Sequence, residues 1–184
     1  MQGWIPVPGS AKARLIEAAA HHFERAGFEA ANVTELAAKA GVTTGALYHH
    51  FGSKLGLYTT IRGDLEKRIT DRMEGAAASV GEHGRPAVRA ALLVAFDAAV
   101  RFDACRLLGE PTPTDRPDPI QSALRSFLPE HLANAATVLA AAWRAALLSV
   151  ADGVTSAAAR TALWYVLMGD GDEATTAGPQ RHPR

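Results

Sequence analysis

No proline falls between Pro8 and Pro86, although the chain holds ten prolines in its 184 residues. A proline inside a helix loses a hydrogen bond and clashes with the preceding turn, at about 3 kcal/mol or more. The interval is therefore free to be helical nearly throughout. Alanine, the best helix former, is the commonest residue at 38, whereas Val and Ile together number 16. β-Branched residues favour strands, so the chain reads as all-α. Three breaks divide the rest: the Gly-rich turn at 79–86, a loop at 109–119 with four prolines, and a polar tail from Asp170. Helices are expected over 10–26, 33–40, 44–51, 54–78, 86–105, 120–127, 129–151 and 155–169.

Composition narrows the class. With 48% hydrophobic and 21% charged residues the chain can bury a sizeable core and is not a disordered protein. Cys105 stands alone, so no internal disulfide forms. The first ten residues lack the basic-then-apolar order of a signal peptide, and Arg144 and Asp152 interrupt the best apolar run before it reaches the ~20 residues that cross a bilayer. A cytoplasmic protein with no membrane span is the expectation.

The 19 basic and 19 acidic residues balance, which as a total argues against nucleic acid. Placement argues otherwise. From Leu36 to Gly63 there is no Asp or Glu, while Lys39, His49, His50, Lys54 and Arg62 are present. Local signals divide this region into short helices. Ser10 reads as the first N-cap and Gly27 as its C-terminal stop, with Phe28 as the accompanying apolar contact. Asn32 followed by Glu35 reads as a reciprocal capping box. Gly41 then ends the second helix, and Thr43 caps a third. Two short helices joined by a glycine-containing turn make a helix-turn-helix. In the third helix Leu47 and Phe51 turn inward, and Thr44, Gly45, Ala46, Tyr48 and His49 form the other face. Small residues there let the backbone approach base edges, and methyl groups pack on thymine. Ser53 caps the next helix, so its N-terminus and Lys54 offer N–H groups and a cation to a phosphate.

These residues carry a resemblance. The stretch from Arg14 to Tyr58, and within it AGVTTGALYHHFGSK from Ala40 to Lys54, resembles the DNA-binding domain of the TetR family of bacterial transcriptional regulators. The resemblance implies a homodimer whose three-helix heads (residues 1–53) bind double-stranded operator DNA. A helical domain (54–170) would supply the dimer interface and a pocket for an unidentified small-molecule effector, and 171–184 would be a disordered tail. Carried over by position, Thr34, Thr44, Gly45, Ala46 and Tyr48 lie near bases or sugars, and Thr43, His49, His50 and Lys54 near phosphates. Two residues depart from the pattern. His22 stands where the family usually packs an aliphatic residue, and Ala46 replaces a common hydroxyl residue, which favours methyl and shape readout.

In the second domain Leu139, Trp143, Ala146 and Val150 recur at helical spacing, and the last helix is apolar almost all round through Leu163, Trp164 and Leu167. Such helices need cover on several sides, and pairing with their mates in a dimer would give it; the alternative is that they serve the monomer's own core. Phe96, Val100, Phe102, Cys105 and Trp143 are the expected apolar pocket wall, with Asp97 and Arg101 at i,i+4 for polar contact. No metal or cofactor is expected. His21–His22 and His49–His50 are adjacent pairs whose side chains diverge by about 100° on a helix, and no HExxH, P-loop or GxSxG motif occurs. The chain therefore reads as a non-enzyme, a ligand-responsive DNA-binding repressor. An all-α ligand-binding protein or enzyme, and a DNA-organising protein without a role in transcription, remain as alternatives.

Overall fold

A computed structural model describes residues 7–168 apart from Glu82. The described residues form nine α-helices and no strand: α1 (Ala11–Ala26), α2 (Val33–Lys39), α3 (Thr44–Phe51), α4 (Lys54–Ala78), α5 (Gly84–Arg101), α6 (Cys105–Gly109), α7 (Pro119–Phe127), α8 (Ala135–Ala151) and α9 (Ser156–Met168). The all-α expectation holds. The expected tail at 171–184 lies outside the described residues.

The caps act as the residues suggest. Ser10 Oγ accepts from Ala13 N–H, Thr43 Oγ1 from Ala46 N–H and Ser53 Oγ from Gly56 N–H, at 3.2, 3.2 and 2.9 Å. Asn32 caps α2 through the N–H of Thr34 at 2.8 Å rather than through that of Glu35. Each bond satisfies an N–H that the helix leaves without a partner, for about 1 kcal/mol.

Two expected helices are divided. The stretch 86–105 breaks after Arg101, because Asp103 takes a left-handed conformation (φ 51°) and Ala104 N–H bonds back to Ala99 carbonyl at 3.1 Å. The short helix α6 then starts in a new direction. The stretch 129–151 opens instead with a single 3₁₀ turn, Glu130–Leu132, before α8 begins.

α4 is the spine of the molecule. Its 25 residues, about 37 Å long at 1.5 Å per residue, pack on α1 and α3 at one end and on α5, α6 and α7 along the rest. One apolar cluster runs through both regions, from Leu15, Phe23, Leu36 and Leu47 by way of Leu57 and Tyr58 to Ile69, Phe96 and Trp143. Tyr58 sits at the junction, its ring edge-on to Phe23 at 5.1 Å and 4.9 Å from Phe28. The helices α1–α3 therefore share one core with the later helices through α4.

Candidate nucleic-acid interface

The turn between α2 and α3 needs Gly41, whose φ is +63° in the region that L side chains avoid. Val42 N–H closes the turn on Ala37 carbonyl at 3.0 Å. Leu47, fully buried, and Phe51, half-buried, point inward as expected. The opposite face of α3 stands in solvent: Thr43, Gly45, Tyr48, His49 and His50 are exposed, Thr44 and Ala46 half-exposed, and Thr34 on α2 lies exposed as well. Tyr48, at 53% exposure, is the largest group on that face. The rings of His49 and His50 meet edge to face at 5.1 Å, so the two imidazoles share one patch at the C-terminal end of α3.

α4 crosses closely under α3. A Cβ at Gly56 would stand 2.0 Å from the carbonyl oxygen of Phe51, so only glycine permits this approach. Lys54 is engaged inside the head. Its ammonium donates to the carbonyls of Phe28 and Ala31 at 3.0 and 3.1 Å and lies 4.3 Å from the centroid of the Phe28 ring. It locks the α1–α2 connection to the start of α4, and its positive charge stays beside the α4 N-terminus. Arg14 is spent in the same way, on the carbonyls of Ala40 and Gly9 at 2.9 and 2.6 Å.

His22 is buried, and Lys39 Nζ lies 3.2 Å from its Nδ1, whereas Nε2 is buried with no hydrogen-bond partner. An ammonium can only donate, so Nδ1 accepts and the proton sits on Nε2. Burial, and then the Lys39 charge, hold the imidazole pKa below its usual value. At neutral pH it is a neutral filler of the space between α1 and α2.

Residues 15–61 match the family described as bacterial regulatory proteins, tetR family. The N-terminal domain belongs to the tetR family. Among curated proteins the chain is 34% identical over 88 residues to the HTH-type transcriptional activator FasR of Mycolicibacterium smegmatis, a match that covers 47% of this chain and 39% of FasR. It is 36% identical over 62 residues to the A-factor receptor protein of Streptomyces griseus, covering 34% of this chain and 22% of that protein. These matches therefore span well under half the length of each relative.

Solved structures resemble this chain over more of its length. The TetR family protein CprB from S. coelicolor A3(2) superimposes with a TM-score of 0.59 at 22% identity, covering 85% of this chain and 86% of CprB. A gamma-butyrolactone receptor described as ArpA-like gives 0.56 at 23% identity, covering 85% of both chains. At such identities the likeness is one of fold.

Behind the head, α6 is held at both ends, by Glu24, which the sequence reading did not single out, and by Arg62, which it counted among the basic residues of the acid-free stretch and which is buried instead. Glu24 on α1 accepts from the N–H groups of Arg106 and Leu107, both at 2.9 Å. Arg62 on α4, fully buried, donates to the carbonyls of Leu107 and Glu110 at 2.7 Å and to Tyr58 Oη at 2.9 Å, and pairs with Glu66 at 2.8 Å. An anion thus caps the N-terminal end of α6 and a cation its C-terminal end, as the helix dipole favours. The signal in the sequence is that Arg62 and Glu66 fall in register with buried Tyr58 and Ile69 on one face of α4.

Half of the expected pocket wall lies in the core. Phe96, Cys105 and Trp143 are buried, Val100 packs against the core, and Arg101 is exposed. Phe102 lies under the guanidinium groups of Arg68 and Arg72, at 5.0 and 4.8 Å. Asp97 pairs with Arg160 of α9 at 2.8 Å rather than with Arg101. A cavity of about 350 Å³ opens elsewhere, between the proline-rich loop and α8, lined by Gly109, Pro111, Arg116, Asp118, Pro119, Ala140 and Arg144 among others. The expected loop contributes, but none of the named wall residues does.

The expected dimer residues also divide. Trp143, Ala146 and Leu163 are buried within the chain, while Leu139, Val150 and Leu167 are partly buried against its core. Trp164 is exposed at 38%. The outer faces of α8 and α9 present Val138, Tyr165 and Val166 instead, at 69%, 83% and 56% exposure. The reason is register: Trp143 is the largest fully buried side chain among the described residues, so the stripe containing it faces inward.

Proposed function

We propose that the protein is a DNA-binding transcriptional regulator that grips a palindromic operator as a homodimer and loses affinity for it when a small molecule binds the helical domain, so acting as a repressor. The observation that carries the reading is the exposed, acid-free face of α3, with Thr44, Gly45, Ala46, Tyr48 and His49 presented from a TetR-family head. Thr34 and Tyr48 are assigned to bases and sugars, and Thr43, His49 and His50 to phosphates. Lys54 contributes charge and a rigid loop more than a free donor, because carbonyl oxygens already take two of its hydrogens. Such a protein works in the cytoplasm, on chromosomal DNA.

Residues 1–53 serve as the reading head and 54–170 as the ligand and dimer domain. Tyr165, Val166 and Val138 on α8 and α9 supply the apolar surface that a second copy covers. The chain's relatives, a transcriptional activator and a receptor protein among them, support regulation in response to a ligand. Coupling runs through α4, since a ligand that prefers a different head spacing lowers the affinity of two heads for successive major grooves.

The test is equilibrium binding of the purified protein to duplexes from upstream of its own gene, across a salt series. Affinity that falls steeply with salt for one duplex over scrambled controls supports the reading. Equal, weak binding to every duplex contradicts it.

A further inference from the structure

The cavity at the proline-rich loop is lined by prolines and alanines, by the polar side chains of Thr112, Gln121 and Thr137, and by charged groups. Its lining holds two guanidinium groups, Arg116 and Arg144, and one carboxylate, Asp118. The two arginines differ in what holds them. Arg144 is fixed by a bidentate pair with Asp118, its second contact at 3.0 Å, and donates also to Leu108 carbonyl. Asp118 in turn caps α7 through Ile120 N–H at 3.0 Å. Burial pushes its carboxyl up in pKa, but Arg144 and the cap outweigh this and hold it below its usual value, so this pair is complete.

Arg116 comes from the loop, is 39% exposed, and reaches across Gly63 of α4 to the buried carboxylate of Glu66. Glu66 is already paired with Arg62 at 2.8 Å. The triad Arg62–Glu66–Arg116 therefore carries one positive charge more than it neutralises, and the excess sits on the one member that lines the cavity.

We propose that this cavity is the effector site and that its ligand is a small monocarboxylate with an apolar body, whose carboxylate takes Arg116 in competition with Glu66. The planar fork of a guanidinium fits a carboxylate in bidentate fashion, the body packs on Pro111, Pro119 and Ala140, and about 350 Å³ suits a small molecule at the lower end of the usual range. Occupancy is felt on α4, because Glu66 loses its second partner there. The inference rests on the reading in which α4 carries the DNA-binding head, but the site is testable without DNA.

The test is calorimetric titration of the full chain with hexanoate, benzoate and phenylacetate, each beside its neutral amide. At least one carboxylate binds with a Kd of about 1 mM or tighter, and its amide binds about tenfold or more weakly. Arg116→Gln removes the carboxylate preference. Glu66→Gln, which removes the competitor, raises carboxylate affinity severalfold; a purely structural role for Glu66 would lower it. No binding by any of the three acids, equal binding of acid and amide, or weaker binding by Glu66→Gln overturns the proposal. Carboxylate binding that follows this pattern in a protein that binds no duplex DNA would leave the site standing and sink the DNA reading alone.

Discussion

Glu24 Oε2 accepts the backbone N–H of Leu107 at 2.9 Å, joining α1 to the short helix α6. The other carboxylate oxygen takes Arg106 N–H, so both acceptors are used between α1 and α6. Hydrogen bonds to a charged group contribute about 1.5–3 kcal/mol each, and unsatisfied buried N–H groups cost a similar amount. Glu24→Ala should lower stability by about 2–3 kcal/mol in denaturant unfolding. Burial raises the Glu24 pKa, against the opposing effect of the N–H bonds. As pH rises from the ordinary glutamate value to the raised one, the unfolded chain has lost its proton while the folded chain still holds it, so this group's contribution to stability falls across that window. Glu24→Gln should flatten that part of the pH profile; an unchanged profile would remove Glu24 as its source.

The junction below α3 depends on an absent side chain. Gly56→Ala places a methyl 2.0 Å from Phe51 carbonyl oxygen, so α3 and α4 must separate. Overpacking of this kind costs about 1–3 kcal/mol, and the head should melt earlier while circular dichroism still reports a helical second domain. A melting temperature equal to that of the parent would show that the two helices have room.

His22 gives the head a pH dependence of opposite sign. A histidine whose folded pKa is lowered supplies stability that is complete above its unfolded value, near 6.5, and is lost as pH falls through the lowered one. Melting temperature should drop on acidification below about pH 6.5, and His22→Leu should lessen the drop while removing the buried unpartnered Nε2. If the histidine and leucine forms lose stability in parallel, the effect arises elsewhere.

Cys105 should be inert. Burial, with Glu24 and Asp103 nearby, pushes its thiol pKa up to about 12, and thiolate is the reactive form. Thiol titration with a disulfide reagent at pH 8 should be slow in the folded protein and immediate in denaturant. Fast labelling of the native state would contradict the burial.

What the sequence disclosed and what it hid follow from the range of the forces involved. Ser10, Thr43 and Ser53 cap helices through bonds only three residues long, and Gly41 marks a turn by its own φ, so the helix-turn-helix was legible from neighbours alone. α6 was not, because a five-residue helix has no period to read and its ends are held by Glu24 and Arg62 from distant parts of the chain. The burial of the expected pocket wall was hidden for a related reason. Phe96 and Trp143 are as apolar as any ligand-binding wall, and only packing decides that they fill the core. The same holds for the apolar faces of α8 and α9, where periodicity gives a stripe but not the partner that covers it.

The central claim is that α3 reads DNA, and Tyr48 tests it most directly. At 53% exposure its loss should change stability by no more than about 0.5 kcal/mol. The measurement is selection of bound fragments from the protein's own genome by the parent and by Tyr48→Ala, followed by titration of the best fragment. The parent should recover a palindromic site and bind it in a salt-dependent manner, and the folded Tyr48→Ala protein should lose that binding. Equal binding by both proteins, or no fragment preferred over random duplex at low salt, would contradict the account.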